Sequence, residues 1–391
     1  MGDFDFIDRS HSNAEKHTLK QKLFGTDDVL PMWVADMDIA TPACVIEAVR
    51  ERLNHPVVGY EIMRESAYNA QCDWVERHHG WKMKPEWLSY SPSVVASIGC
   101  AIRAFSAEGD EIIVQSPVYP PFYDMVRNNN RKLLLNPLTQ GGSGEYRFDL
   151  EDLKAKISPK TKLLLLCSPH NPVGRVWLKE ELMALGELCL QNNIVMISDE
   201  VHCDILFGDN IHVPFASISD AISQNTVTLM GPGKTFNMAG FSISTVAIAS
   251  EELREQYRMQ LHKVHYGDGA VLSHVAFEAA YTLGDEWHTD LVKHLSTNRA
   301  MIEQWCHMHP VINFHKPQGT YLAWLNCRAL KMGDRELRDF FAKEAGLGLS
   351  AGLGFGKEGS GYMRLNFAVA REVLERALEQ LSHALERNGY G

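Results

Sequence analysis

The chain has 391 residues, of which 45% are hydrophobic and 22% charged, so it can bury two hydrophobic cores and lacks the composition of a disordered protein. Its formal net charge of −11 comes without any cluster of lysine and arginine, which argues against nucleic acid as the ligand. The polar N-terminus is unlike a signal peptide and no apolar run approaches the length of a bilayer span, so we expect a cytoplasmic protein that does not contact a membrane.

Strands alternate with helices from about residue 88 to residue 250. Short apolar runs that end at Ser, Pro, Asp or Gly predict buried strands at 111–117, 161–169, 194–200, 226–230 and 244–250. Continuous apolar runs of this length are typical of a largely parallel sheet that helices cover on both faces. Residues 179–193 predict a helix whose apolar stripe comprises Leu182, Leu185, Leu188 and Cys189. The pattern predicts an α/β, doubly wound fold.

The C-terminal part carries a different pattern. Residues 371–388 predict an amphipathic helix with an inward face formed by Val373, Leu374, Ala377, Leu378, Leu381 and Leu385. A glycine-rich turn and the strand-like segment YMRLNF (362–367) precede this helix. We therefore expect a large domain over residues 49–282, and a smaller α+β domain that combines residues 1–48 with residues 283–391.

Two patterns that suggest other ligands are not supported by their context. The segment GFGKEG (354–359) matches G-x-G-x-x-G, but it runs into a predicted strand where the dinucleotide fingerprint requires a helix. The eight cysteines are scattered and form no CxxC pair, so we expect reduced, mostly buried thiols. His78–His79 and the pair His307 and His309 lack a second pair of ligands at a suitable spacing, so no metal site is predicted.

Polar side chains follow three of the predicted strands. Asn171 follows the strand at 161–169, Asp199 lies at the end of the strand at 194–200 with His202 just after it, and Lys234 follows the strand at 226–230. Ligands bind at the carboxyl ends of strands in open α/β sheets, so we expect these groups on one rim. Singly, Asp199 could be a helix N-cap, Asn171 a turn residue and Lys234 a solvated lysine. Together, a carboxylate, an amide and an amine on one rim favour a reaction site.

The chain resembles the fold-type I pyridoxal 5′-phosphate (PLP) enzymes of the class I/II aminotransferase superfamily, and within them the MalY/PatB family of cystathionine β-lyase-like carbon–sulfur lyases. The segments that carry the resemblance are LPMWVADMDIATP (30–42), VVGY (57–60), SPVYPPFY (116–123), CSPHNPVGRVW (167–177), ISDEVHCDI (197–205), GKTFNMAG (233–240), GTYLAW (319–324) and FGKEGSGYMRLNFAVAR (355–371). Their order and spacing extend over most of the chain. The resemblance implies a large domain with a mostly parallel mixed sheet and a smaller domain that closes over the active site.

The resemblance also implies roles in holding the cofactor. Lys234 would form a Schiff base with PLP and then move the α-proton of the substrate, which requires a lowered pKa. Asp199 would hold a proton on the pyridine nitrogen, Asn171 would donate to the phenolic oxygen of the ring and Tyr119 would stack on it. His202 would also belong to the cofactor site.

Further residues are implied for the phosphate and the substrate. The phosphate would bind the amides of Ser93, Val94 and Val95, in a segment that reads as strand, turn and helix N-terminus. Tyr60 would reach the phosphate of the neighbouring subunit, which makes the enzyme an obligate homodimer. The substrate-binding residues would be Arg364, which would clamp the carboxylate of an amino-acid substrate, Ala35, which would donate its amide, and Trp33.

The chain departs from the family pattern close to the lysine. Gly231 and Gly233 stand where Ser or Ala and Ser are usual, and no arginine follows Lys234 at the usual short distance. Two hydroxyls that would serve the phosphate are missing, which predicts weaker binding of the cofactor.

Three functions are compatible with these residues. The amino-acid aminotransferases usually have tyrosine at the place of His202, so β-elimination of a thiol, with Tyr60 or Tyr119 protonating the sulfur, is favoured over transamination. The alternative is a PLP-dependent aminotransferase of class I/II. A second alternative is that the protein binds a regulatory protein partner in addition to catalysis, although Lys234, Asp199 and Arg364 together indicate that the chemistry is retained. The sequence leaves open which sulfur amino acid is the substrate, among L-cystathionine, L-cystine and S-alkyl cysteines.

Overall fold

The fold is taken from a computed structural model that describes residues 4–141, 144–264 and 269–390. The strands, in chain order, are Leu30–Pro31 (β1), Leu88–Ser91 (β2), Glu111–Ser116 (β3), Lys132–Pro137 (β4), Thr139–Gln140 (β5), Tyr146–Arg147 (β6), Thr161–Cys167 (β7), Val195–Asp199 (β8), Thr226–Met230 (β9), Ser244–Ala247 (β10), Asn313–Phe314 (β11), Leu322–Asn326 (β12), Leu347–Gly348 (β13), Ser350–Ala351 (β14) and Tyr362–Asn366 (β15).

The helices follow the same order along the chain. They are Glu15–Thr18 (α1), Lys20–Phe24 (α2), Ala43–Leu53 (α3), Glu65–His79 (α4), Val94–Phe105 (α5), Pro121–Asn128 (α6), Leu150–Lys156 (α7), Lys179–Gln191 (α8), Asp220–Ser223 (α9), Glu251–Lys263 (α10), Val271–Leu283 (α11), Asp285–Met308 (α12), Asp334–Asp339 (α13) and Arg371–Arg387 (α14). Among the described residues, no helix combines the length and the apolar character that crossing a bilayer requires.

The large sheet contains, among the described residues, seven strands in the order β2–β10–β9–β8–β7–β3–β4. Strand β10 is antiparallel to both of its neighbours, and the pairs from β9 to β4 are parallel. All five strands that we predicted are present, and their order confirms the α/β fold with a mostly parallel mixed sheet. Strand β7 ends at Cys167 rather than at Pro169, because proline has no N–H to donate to a neighbouring strand.

Helices cover the large sheet on both faces, as the apolar runs predicted. Leu163 and Leu165 of β7 pack in a core with residues of α5 and α10, whereas Leu164 and Leu166 pack with residues of α8 in a second core. The alternation follows from the strand geometry, because successive side chains point to opposite faces. The predicted apolar stripe of α8 is buried, as are the six predicted inward residues of α14, although both helices end slightly earlier than expected.

The small sheet is antiparallel, with the order β11–β12–β15–β14. Its strand β15 is the predicted YMRLNF segment, and the glycines of GFGKEG form two short 3-10 turns just before it. Arg364 lies in β15 opposite Trp324 of β12 and Ser350 of β14, and its side chain enters the cavity described below. The boundaries of the two domains stay a prediction.

Candidate active site

A cavity of about 400 Å³ lies at the carboxyl ends of the central strands. Eleven of the twelve site residues that the sequence predicted line it, namely Trp33, Ala35, Ser93, Val94, Val95, Tyr119, Asn171, Asp199, His202, Lys234 and Arg364. Cys167 lies opposite Asp199, and Asp199 lies opposite Leu229, in the register of the parallel strands β7, β8 and β9. The loops that follow these three strands therefore begin at the same level along the strand direction. Asn171, Asp199 and Lys234 lie on one rim of the sheet, as expected.

Lys234 reaches the cavity from the loop after β9. Its Nζ donates a hydrogen bond to the carbonyl oxygen of Ala35 at 2.5 Å. Burial lowers the pKa of Lys234 to about 8, and the positive charge of Arg364 acts in the same direction, while Asp36 and Asp199 oppose them. The lowered pKa that a reactive amine requires is therefore provided by the protein itself.

Asp199 ends strand β8 and is buried. Its Oδ1 accepts a hydrogen bond from the amide of Val201 at 3.2 Å. Burial raises the pKa of Asp199 to about 7 and the charge of Glu200 adds to this effect, whereas the Val201 amide and Lys234 oppose it. A carboxyl group with so high a proton affinity is suited to hold a proton on the nitrogen of a bound heterocycle.

The raised pKa of Asp199 predicts a pH-dependent stability in protein stripped of its cofactor. A carboxyl whose pKa is higher in the folded than in the unfolded state stabilises the folded protein when it is protonated. This stabilisation is fully present below the unfolded pKa of 3.8, and it is lost as the pH rises towards the folded pKa of about 7. We expect the unfolding free energy of wild type, relative to Asp199→Asn, to fall by about 2 kcal/mol between pH 5 and pH 7. Urea titrations at a series of pH values measure this difference.

The control for this titration is Asp73→Asn, which removes an exposed carboxylate from α4. A stability difference between wild type and Asp199→Asn that stays constant or grows from pH 5 to pH 7 would contradict the raised pKa.

Arg364 and Asn171 are held by a shared hydrogen bond. The Nη1 of Arg364 donates to Oδ1 of Asn171 at 3.0 Å, and its Nη2 donates to the carbonyl of Trp33 at 2.7 Å. Because its oxygen is occupied, Asn171 has its amide N–H groups left to donate. Burial lowers the pKa of Arg364 to about 10, and its Nε has no hydrogen-bond partner among the described residues. A buried guanidinium with a free donor is suited to bind a carboxylate.

Two aromatic rings complete the walls. Burial raises the pKa of Tyr119, so its phenol keeps its proton at neutral pH. Burial holds the pKa of His202 well below its ordinary value, with Lys234 and Arg364 contributing, so this imidazole is neutral. The Nδ1 of His202 is buried and has no hydrogen-bond partner among the described residues.

The N-terminus of α5 forms one end of the cavity. Ser93 is the N-cap, and its side chain accepts a hydrogen bond from the amide of Ala96 at 3.2 Å. The amides of Val94 and Val95 belong to the first turn, where helices lack intrahelical acceptors. Their N–H groups and the helix dipole are suited to bind an anion such as a phosphate. Strand, turn and helix occur here as the sequence predicted.

Tyr60 is the predicted site residue that does not line the cavity of its own chain. Its relative exposure is 111%, so it makes no enclosing contacts within this subunit. This position is compatible with the expected role in a neighbouring subunit, and that role stays a prediction.

The site also contains residues that the sequence did not predict, among them Glu15, Cys167, Ser350 and Tyr321. Glu15 and Cys167 also line the cavity. Ser350 donates to the Trp33 carbonyl at 3.1 Å and accepts from Nη2 of Arg364 at 3.3 Å, while the Tyr321 hydroxyl donates to the Ala35 carbonyl at 3.0 Å. Tyr321 falls within GTYLAW, which was the available signal for it. Cys167 likewise begins the segment CSPHNPVGRVW, whereas Glu15 and Ser350 have no sequence signal, because their roles depend on contacts between distant segments.

The two unusual glycines near the lysine have different structural settings. A Cβ at Gly231 would lie 3.0 Å from Cβ and 3.1 Å from Cα of Ser244, so a side chain here would push strand β10 away. A Cβ at Gly233 would have nothing closer than 3.5 Å, the distance to Ala239. Gly231 therefore permits the close approach of Ser244, which itself lines the cavity, while no contact requires a glycine at position 233.

A buried carboxylate supports the loop that carries Lys234. Asp204 accepts hydrogen bonds from Trp74 at 3.0 Å and from Thr235, which follows Lys234, at 2.6 Å, and it pairs with His79 at 2.8 Å. Although burial opposes ionisation, His79 holds the pKa of Asp204 well below its ordinary value. The ligand atoms of His79, Cys203 and Asp204 lie within 4.8 Å of one another, but hydrogen bonds already occupy both Asp204 oxygens. The absence of a metal stays a prediction.

The donors and acceptors around the cavity fit pyridoxal phosphate. A free helix N-terminus suits the phosphate, and the amine of Lys234 suits the aldehyde. Asp199, with its raised pKa, suits the ring nitrogen, and the free amide of Asn171 suits the phenolic oxygen. Each of these groups belongs to a different segment of the chain, and all of them line the same cavity.

Comparisons with known proteins place the chain in a family. The model for aminotransferase class I and II matches residues 27–381. Cystathionine beta-lyase PatB of Bacillus subtilis is 39% identical over 93% of this chain and 94% of its own length, and Protein MalY of Escherichia coli is 31% identical over 98% and 99%. Cystalysin of Treponema denticola, whose crystal structure contains a pyridoxal 5′-phosphate cofactor, aligns with a TM-score of 0.96 and 31% identity over 99% of each chain. The chain belongs to the aminotransferase class I and II family, within the group that contains PatB and MalY.

Proposed function

We propose that this protein is a PLP-dependent carbon–sulfur lyase. It would remove the sulfur substituent from the β-carbon of a sulfur-containing amino acid, giving a thiol, pyruvate and ammonia. The observation that carries the proposal is one cavity that combines an amine of lowered pKa, a carboxyl of raised pKa and a buried guanidinium. The relatives named cystathionine beta-lyase and cystalysin support the same reaction class.

We infer that Lys234, Asp199 and Asn171 hold the ring of PLP and that the N-terminus of α5 holds its phosphate. PLP, when bound, supplies an aldehyde that joins the substrate amine and a ring that accepts the electron pair left at Cα. The proposed stacking of Tyr119 on the ring and the place of His202 near Asp199 agree with their positions in the cavity wall.

The proposed base is Lys234. An amine with a pKa of about 8 is partly neutral at physiological pH and can take a proton from the α-carbon. Its hydrogen bond to the Ala35 carbonyl fixes the position of Nζ, and Tyr321 donates to the same carbonyl. Asp199 would hold a proton on the ring nitrogen, and the positive charge of that proton favours withdrawal of electrons towards the nitrogen.

Arg364 and Tyr119 would act on the substrate. The guanidinium of Arg364 would bind the α-carboxylate through its free donors. The hydrogen bond that Arg364 donates to the Trp33 carbonyl limits the movement of the guanidinium. The role of the Ala35 amide in binding the same carboxylate is part of the proposal. A thiol has a pKa of about 8.5, so a thiolate leaves readily, and the protonated phenol of Tyr119 can donate to the sulfur.

The experiment that tests this function is pyruvate release from L-cystathionine by the PLP-loaded protein without any keto acid. A lyase releases pyruvate under these conditions, whereas an aminotransferase requires a keto acid to complete its cycle. Turnover that depends strictly on an added keto acid would replace the proposal with transamination. The place of His202, where aminotransferases usually have tyrosine, favours the lyase.

We further infer that the enzyme is a homodimer. Tyr60 lies in an exposed apolar stretch in which the relative exposures of Val57, Val58 and Ile62 are 61%, 58% and 75%. Exposed apolar side chains that occur together in this way mark an interaction surface. A second copy of the chain would cover the stretch and receive Tyr60 at its phosphate site.

The dimer is tested by combining two inactive subunits. We expect hybrids of Tyr60→Ala and Lys234→Ala, co-expressed with different affinity tags, to recover about a quarter of the wild-type activity in the unfractionated mixture. Half of the dimers are then hybrids, and each hybrid has one complete site of two. Recovery is measured as pyruvate release, against each variant expressed alone. No recovery in purified hybrids would contradict the placement of Tyr60 in the partner's site.

A further inference from the structure

Glu15 lies at the cavity although it is far from the other site residues in sequence. It begins α1, a four-residue helix, and it lines the same cavity as Lys234, Asp199 and Arg364. Burial and the charge of Asp199 raise the pKa of Tyr119, and the negative charge of Glu15 adds to this effect. The side chain has no hydrogen bond or ion pair within the described part of the chain.

A buried ion cluster fixes α1 in this position. Lys16, the next residue, is 1% exposed, and its Nζ lies 2.7 Å from Asp36 and 3.0 Å from Asp38. Arg9 pairs with the same two carboxylates at 2.9 and 3.0 Å. Two cations and two anions balance each other there, so the cluster holds α1 in place without drawing on the charge of Glu15.

The charged groups of the cavity can be matched to partners one by one. Lys234, Asp199 and Arg364 are used by the proposed function for the aldehyde, the ring nitrogen and the α-carboxylate. Glu15 is the carboxylate that remains among the cavity residues that the structure describes. Its complement in a substrate is a positive charge outside the reacting part of the molecule.

We propose that Glu15 determines specificity by binding an ammonium group on the departing sulfur substituent. The inference rests on the proposed function and narrows its substrate class to sulfur amino acids with a second amino group, such as L-cystathionine and L-cystine, over S-alkyl cysteines. The ammonium would form an ion pair with the Glu15 carboxylate while Arg364 holds the carboxylate at the other end. A substrate with a neutral alkyl substituent gains nothing from this contact.

Two substrates of equal shape test the proposal with the PLP-loaded enzyme. S-(2-aminoethyl)-L-cysteine and S-propyl-L-cysteine differ in one terminal group, an ammonium against a methyl, and both release pyruvate. We expect wild type to prefer the aminoethyl substrate, and Glu15→Gln to lower the ratio of the two kcat/KM values roughly threefold to tenfold. The change should appear in KM with kcat nearly constant, because the distal group does not react. Glu15→Lys should lower the ratio further.

The matched control is Glu375→Gln, which removes an exposed carboxylate from α14 and should leave the ratio unchanged. Retained turnover of the propyl substrate shows that each Glu15 variant is folded. An unchanged ratio in Glu15→Gln, or an equal loss on both substrates, would overturn the role of Glu15. Absence of pyruvate from every substrate in wild type would instead contradict the proposed function.

Discussion

Replacing Lys234 with alanine is expected to reduce pyruvate release from L-cystathionine by at least about a thousandfold. The variant removes both the amine that would bind the cofactor and the base that would move the α-proton. Neighbouring cavity residues do not supply a substitute. The pKa of His202 lies well below its ordinary value, which makes the imidazole a weak base, and the Tyr119 phenol holds its proton at neutral pH. Asp199 is assigned to the ring nitrogen in the proposed function. Steady-state pyruvate assays with and without added PLP measure the effect.

The loss in Lys234→Ala should not result from unfolding. The lowered pKa of Lys234 means that the charged amine is disfavoured in the folded protein and reduces its stability. This loss of stability is present at pH 7, because Lys234 is still mostly charged below its folded pKa of about 8. Without cofactor, the variant is therefore expected to be at least as stable as wild type. Lys179→Ala, at an exposed lysine that begins α8, is the control and should retain full activity. Near-normal turnover by Lys234→Ala would contradict the assignment of the base.

Replacing Arg364 with lysine is expected to lower kcat/KM for L-cystathionine by roughly a hundredfold, and replacement with alanine by more. Lysine keeps a positive charge but lacks the planar fork that grips a carboxylate with two donors. The substitution would also remove the hydrogen bonds that Arg364 donates to Asn171 and to the Trp33 carbonyl. The loss of kcat/KM should therefore include a fall in kcat that is smaller than the rise in KM. Initial rates over a wide range of substrate concentrations separate the two effects.

The carboxylate of the substrate provides the discriminating control for Arg364. Among compounds that form a Schiff base with the cofactor, amines without a carboxylate should bind wild type and Arg364→Lys equally, as measured by competition. Arg335→Ala, at an exposed arginine in α13, should behave as wild type towards both kinds of compound. If Arg364→Lys weakened both kinds of compound to the same extent, Arg364 would be supporting the cavity rather than binding the carboxylate.

Local patterns were sufficient to predict the central strands of the large sheet and the rim of the site, but not its edge strand β4. The apolar runs of β3, β7, β8 and β9 are long enough to require burial on both faces, and in a parallel sheet their carboxyl ends coincide. The positions of Asn171, Asp199 and Lys234 followed from this geometry alone. The more detailed roles of Tyr119 and Trp33 depended on the resemblance to a family and stay proposals beyond their positions in the cavity wall.

Contacts between distant segments account for what the sequence did not show. Glu15 reaches the cavity because its neighbour Lys16 forms ion pairs with Asp36 and Asp38, about twenty residues further along the chain. Hydrophobic periodicity in the sequence does not indicate ion pairs of this kind. Gly231 was interpreted as a lost hydroxyl, whereas the structure shows that its missing Cβ makes room for Ser244. The effect of these glycines on cofactor affinity, a cytoplasmic location and a regulatory partner stay predictions.

The measurement that tests the central claim most directly is the mapping of the lysine that PLP modifies. Borohydride makes a bond between a lysine and PLP permanent, and peptide mass spectrometry after digestion locates it. We predict one modified residue, Lys234, in the wild-type protein and no modification at this peptide in Lys234→Ala. Modification of a different lysine, or a protein that binds no PLP at all, would contradict the assignment of this cavity as the active site.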